Sequence, residues 1–194
     1  MKKSAAVLAA SALLFAPTLA LAHPGHGESI SAGFLHPFTG VDHLLALASL
    51  GVFAAQLAPK RALSLVSGFL AAFVLAFVSA QNGLALPAQE AVLAISLLGM
   101  GALVMLGRRL PFALSLAVIM LFAAYHGMAH GSELGAFAAT TSLTGFFIAC
   151  LVLTGGAYAA GRQLAGCTER AALGYRSAAA CLASCTGLLL LAGM

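Results

Sequence analysis

Six runs of close to twenty apolar residues follow one another along this chain, and no other feature limits its fold so strongly. They are Val41–Ala58, Ala62–Ala80, Ala88–Leu106, Pro111–His130, Ala136–Ala159 and Ala171–Leu190. About 20 apolar residues in helical conformation cross the hydrocarbon of a bilayer. The runs are too long for barrel strands and lack the alternation that a barrel needs. The separators are short and carry turn or charge signals: Pro59-Lys60-Arg61, Gln81 to Gln89, Gly107-Arg108-Arg109, Gly131 to Gly135, and Gly161 to Arg170. The expected fold is an all-α integral membrane protein, with about six transmembrane helices in one compact bundle. Abundant glycine within the runs, as at Gly99, Gly101, Gly155 and Gly156, lets such helices approach closely.

Composition excludes a water-soluble fold. The chain is 62% hydrophobic and only 7% charged, where a soluble domain carries about a quarter charged residues. Its net charge of +4 comes from nine Lys and Arg spread thinly, so no nucleic-acid partner is expected; the bilayer is the expected surroundings. Residues 1–22 read as a cleaved signal peptide. Lys2 and Lys3 precede an apolar stretch from Ala5 to Phe15, and Ala20-Leu21-Ala22 is a small-x-small cleavage site. The mature chain, residues 23–194, would be one transmembrane domain. Cys150, Cys167, Cys181 and Cys185 lie mostly in apolar stretches and read as helix-packing residues rather than a disulfide framework. Cys181 and Cys185 share a helix face, which leaves a soft-metal role open.

Loop charges orient the bundle. Lys60 and Arg61, then Arg108 and Arg109, then Arg162 and Arg170 occupy the first, third and fifth connections, while the second and fourth have no Lys or Arg. By the positive-inside rule the odd connections face the cytoplasm. The protein would then sit in the inner membrane with both mature termini external, in the periplasm.

That orientation gathers the polar residues. All six histidines fall between His23 and His43 or at His126 and His130. The first group precedes or opens the first run and the second closes the fourth, so both lie at the external face. His126 and His130 are one turn apart on one helix face, and Glu133 continues the stripe. Thr39 is a candidate N-cap, and Asp42 three residues later resembles a capping box; this is a purely structural reading of Asp42. It leaves His36 and His43 unexplained. Ionisable groups at membrane depth are costly and functional as a rule. Imidazole with carboxylate suits zinc, nickel, cobalt or copper better than magnesium or calcium. The candidate metal ligands are His36, Asp42, His43, His126, His130 and Glu133, with the two sequence groups forming one site. Asp42 is alternatively a residue that orients a histidine. His23 and His26 either gather metal outside the membrane or form a polar leader.

The segment His36-Pro-Phe-Thr-Gly-Val-Asp42-His43-Leu-Leu-Ala, together with His126-Gly-Met-Ala-His130-Gly-Ser-Glu133 and the His-Pro-Gly-His leader, resembles the HupE/UreJ family of nickel and cobalt permeases. The resemblance covers essentially the whole mature chain. It implies secondary uptake of nickel, or in some members cobalt, for metalloenzymes such as hydrogenase and urease. It points to the same six residues, with Ni2+ or Co2+ as transported substrate rather than catalytic cofactor. A separate nickel–cobalt transporter family carries His-x4-Asp-His; here the spacing is one residue longer. No G-x4-G-K-[ST] motif occurs, so the expected transport is secondary or coupled through a partner, and oligomers are compatible with the pattern. The alternative function is an intramembrane zinc-dependent hydrolase, with Glu133 or Asp42 as base and Ser132 nearby.

Overall fold

A computed structural model of the protein describes residues 29–133 and 136–194, with side chains at all of these except 108 and 133–140. The expected signal peptide lies outside the described residues, as do His23 and His26. The order is α1 (Ile30–Thr39), α2 (Val41–Ala54), α3 (Pro59–Gln81), α4 (Gln89–Leu106), a 3-10 turn (Gly107–Arg109), α5 (Phe112–Glu133), α6 (Ala136–Cys167) and α7 (Glu169–Ala192). All described secondary structure is helical. Helices α3 to α7 contain five spans long and apolar enough to cross a membrane, and α1 with α2 forms a sixth that bends by 84°.

That bent pair departs from the expected first span. Residues Ile30–Thr39 form a separate helix, capped by Ser29, whose hydroxyl accepts from the Ala32 amide at 3.1 Å. Pro37 lies within α1 and has no amide hydrogen to donate to the preceding turn. Gly40 ends α1 in extended conformation (φ −92°, ψ 113°) and is also the N-cap of α2. The capping-box reading of Thr39 and Asp42 is therefore incorrect: the Thr39 hydroxyl donates back to the His36 carbonyl at 2.9 Å.

Helix α2 is the central post. Every residue from Leu44 to Ala54 is buried, consistent with a sequence apolar on all sides. Helices α6, α4 and α7 pack most extensively around it, α1 and α3 touch it more lightly, and α3 packs along α5. The outer surface is apolar, with Leu75 69% and Leu189 74% exposed, as lipid-facing residues must be. Two later boundaries also shift. Helix α6 runs on past Ala159 to Cys167, because hydropathy marks the lipid-embedded part of a helix and not its end. Thr168 then caps α7, its hydroxyl accepting from the Ala171 amide at 3.0 Å.

Glycines set the two crossings that carry the histidines. A side chain at Gly33 on α1 would collide with the Ser142 carbonyl of α6. One at Gly127 on α5 would collide with the Phe73 carbonyl of α3, and Gly131, one turn later, lies against the Phe77 carbonyl. Backbone meets backbone at both crossings, the close approach that small residues permit in membranes.

Candidate metal centre

Each histidine is delivered by a helix end. His36 lies in the last turn of α1, His43 in the first turn of α2, and His126 and His130 in the final two turns of α5. The Gly40 bend folds the end of α1 back over the start of α2, which brings His36 to His43 with ring centroids 4.9 Å apart. The α3–α5 crossing places His130 against both, at 4.8 Å from His36 and 4.7 Å from His43. One ring nitrogen from each of His36, His43 and His130 lies within 4.8 Å of the others. The Nε2 atoms of His43 and His130 are 2.7 Å apart. Three imidazole nitrogens around one metal at 2.0–2.1 Å stand about 3–3.5 Å from each other, so small side-chain shifts suffice to admit an ion.

Asp42 fixes the middle ligand. Its Oδ1 accepts from His43 Nδ1 at 3.0 Å, which directs His43 Nε2 toward His130. A carboxylate behind a ligating histidine sets the tautomer and orients the ring. Gly40 makes room for this pair, since a Cβ there would lie 2.7 Å from His43 Nδ1 and 2.9 Å from Asp42 Oδ1. Asp42 also sits at the positive end of the α2 dipole, where a negative charge is stabilised.

His126 is one turn deeper. Its Nδ1 donates to the Phe122 carbonyl at 2.8 Å, leaving Nε2 as the free ring nitrogen of the neutral form. Its ring centroid is 5.7 Å from that of His43. A narrow cavity of about 20 Å³, lined by His43, His126, Ser96, Met100 and Phe146 among others, continues inward from this pair. Exposure falls along the series: His36 is exposed, His43 half-buried, and His130 and His126 are 8% and 7% exposed. The four imidazoles thus run from the surface into the bundle.

Of the residues expected from sequence, the structure joins His36, His43, His126, His130 and Asp42. The Glu133 side chain lies outside the described residues. The sequence gives no signal for the aromatic wall. Phe73 and Phe146 stack at 4.7 Å, and Phe146 lies 5.5 Å from the His130 ring. A phenylalanine in an apolar run is indistinguishable from its lipid-facing neighbours until the helices are packed. Gln81 is a second omission: its Nε2 donates to the Gly131 carbonyl at 2.6 Å and ties the end of α3 to α5 beside His130. Cys181 and Cys185 share a face, with sulfurs 3.8 Å apart, but both are exposed on the outer surface of α7.

The family model described as HupE / UreJ protein matches residues 11–190. The chain belongs to the HupE/UreJ family. Protein HupE of Rhizobium leguminosarum bv. viciae is 34% identical over 152 residues, 78% of each chain. No solved structure matches the chain. HupE/UreJ proteins are membrane transporters and not enzymes, so this chain is a multi-pass membrane protein of a family associated with metal transport. The hydrolase alternative finds no support in this membership.

Proposed function

We propose that the protein imports a divalent transition metal, nickel foremost and cobalt as the second substrate, by secondary transport. One observation carries this reading: three imidazoles from three different helix ends converge within 4.8 Å of one another, graded from exposed to buried. Under this reading His36 meets the hydrated ion, His43 and His130 replace part of its water shell, and His126 receives it next. Asp42 holds His43 in the ligating tautomer. Glu133, beyond His130, is a further oxygen donor, and His23 and His26 raise the local metal concentration outside. Neutral nitrogen donors with few carboxylates bind nickel or cobalt well enough to strip water yet release it inward.

The same proposal places the protein in the inner membrane after removal of residues 1–22, with the histidine end and both termini periplasmic. The charge alternation supports that orientation. Reporter fusions at Asn82 and Arg108 should land on opposite sides. Transport itself is tested with purified protein in liposomes. Wild type should accumulate nickel, and H43A and H130A should lose most of the uptake while inserting normally. Undiminished uptake in both variants would refute the site.

A further inference from the structure

A second polar site lies at the opposite end of the bundle, where α2 gives way to α3. Gln56, the end of α4, the 3-10 turn and α7 enclose a pocket of about 470 Å³, within the size range of small-ligand sites. Its polar lining is Gln56, Arg109 and Arg176, with no Asp or Glu.

Gln56 is engaged at both ends of its amide. Its Nε2 donates to the Val104 carbonyl at 2.9 Å, and its Oε1 accepts from Arg176 Nη1 at 3.1 Å. Gly107 adopts φ +55°, and a side chain there would collide with Gln56 Oε1, so the turn is shaped around this amide. The consequence is a guanidinium held in place by a neutral acceptor. Arg176 Nε is buried and has no hydrogen-bond partner. A guanidinium offers five N–H donors, and a buried donor of a charged group left unmet is expensive. Arg109 adds a second guanidinium to the same pocket, and neither arginine has an ion pair among the described residues. Two cations, one with a buried orphan donor, form a receptor for an anion that accepts several hydrogen bonds. Phosphate fits the planar fork of arginine, and its several oxygens can accept from both guanidiniums at once. The rim is apolar: Met105, Leu106 and Leu173 are 49%, 42% and 48% exposed. Lipid chains cover such side chains.

We infer that this pocket binds the phosphate of an anionic phospholipid headgroup, with Arg176 and Arg109 as donors and the acyl chains over Met105, Leu106 and Leu173. Basic pockets between transmembrane helices are suited to such headgroups. The bound lipid would join the ends of α4 and α7 by bridging guanidiniums that otherwise repel.

The test is native mass spectrometry of the full chain in mild detergent, with added phosphatidylglycerol, cardiolipin or phosphatidylcholine. The anionic lipids should be retained selectively. R176Q should weaken retention at least about tenfold, the equivalent of one charge-assisted hydrogen bond. R109Q, altered in the turn and not in a helix core, should weaken it less and guards against a folding failure. R162Q, an arginine outside the pocket, should retain lipid like the wild type. Inorganic phosphate that raises the melting temperature as much as phosphatidylglycerol does would assign the same site to a soluble phosphate. Equal retention by wild type and both pocket variants, or an equal loss in R162Q, overturns the assignment.

Discussion

Replacing Asp42 separates orientation of a ligand from ligation itself. Asp42 Oδ1 is 3.0 Å from His43 Nδ1, while the ring's other nitrogen lies 2.7 Å from His130 Nε2. Asp42→Asn keeps the shape and an accepting oxygen but loses the charge. Asp42→Ala loses both and frees the ring to rotate. Partners of this kind contribute about 10–100-fold to metal affinity. The Asn variant should fall near the lower end and the Ala variant near the upper, about 1.4 and 2.7 kcal/mol respectively. Part of the carboxylate is exposed, which argues against larger values. Calorimetric titration of detergent-purified protein with nickel measures this directly, with the thermal unfolding midpoint as the folding control. Affinities of both variants within twofold of wild type, with folding intact, would refute a positioning role. Loss of binding stoichiometry in place of a graded weakening would make Asp42 itself a ligand.

Gly127→Ala should lower the unfolding midpoint, because its Cβ would meet the Phe73 backbone; over-packing of this kind costs about 1–3 kcal/mol, readable by thermal denaturation in detergent. Nickel binding should weaken as the pH falls: imidazole must lose its proton to ligate, so protons compete with metal. The effect should appear as a raised half-saturating concentration in titrations across a pH series, and a pH-independent value would contradict imidazole ligation. Cys181→Ala with Cys185→Ala should leave binding within twofold of wild type, since both thiols are exposed on the outer surface of α7.

Much of this arrangement is legible in the chain. The alternation of Lys and Arg between connections suffices to bring His36 and His43 to the same end as His126 and His130, and the structure places them together. Helix α4, expected over Ala88–Leu106, forms over Gln89–Leu106, because Pro87 before it and Gly107 after it are local signals. What local signals do not carry is tertiary. The 84° bend depends on Gly40 adopting an extended conformation between two segments that each continue as helix. Thr39 and Asp42 have capping-box spacing, yet the hydroxyl turns back to the His36 carbonyl and the carboxylate to His43. Phe73, Phe146 and Gly127 take their roles only from what packs opposite them.

The central claim is that His36, His43 and His130 hold one metal ion together. X-ray absorption spectroscopy of the nickel-loaded protein tests it most directly, by counting imidazole rings from their multiple scattering. The wild type should show three nitrogen-donor imidazoles on one nickel per chain, and H43A and H130A should each show one fewer. A nickel shell of oxygen donors alone, or an imidazole count unchanged in both variants, would contradict the account.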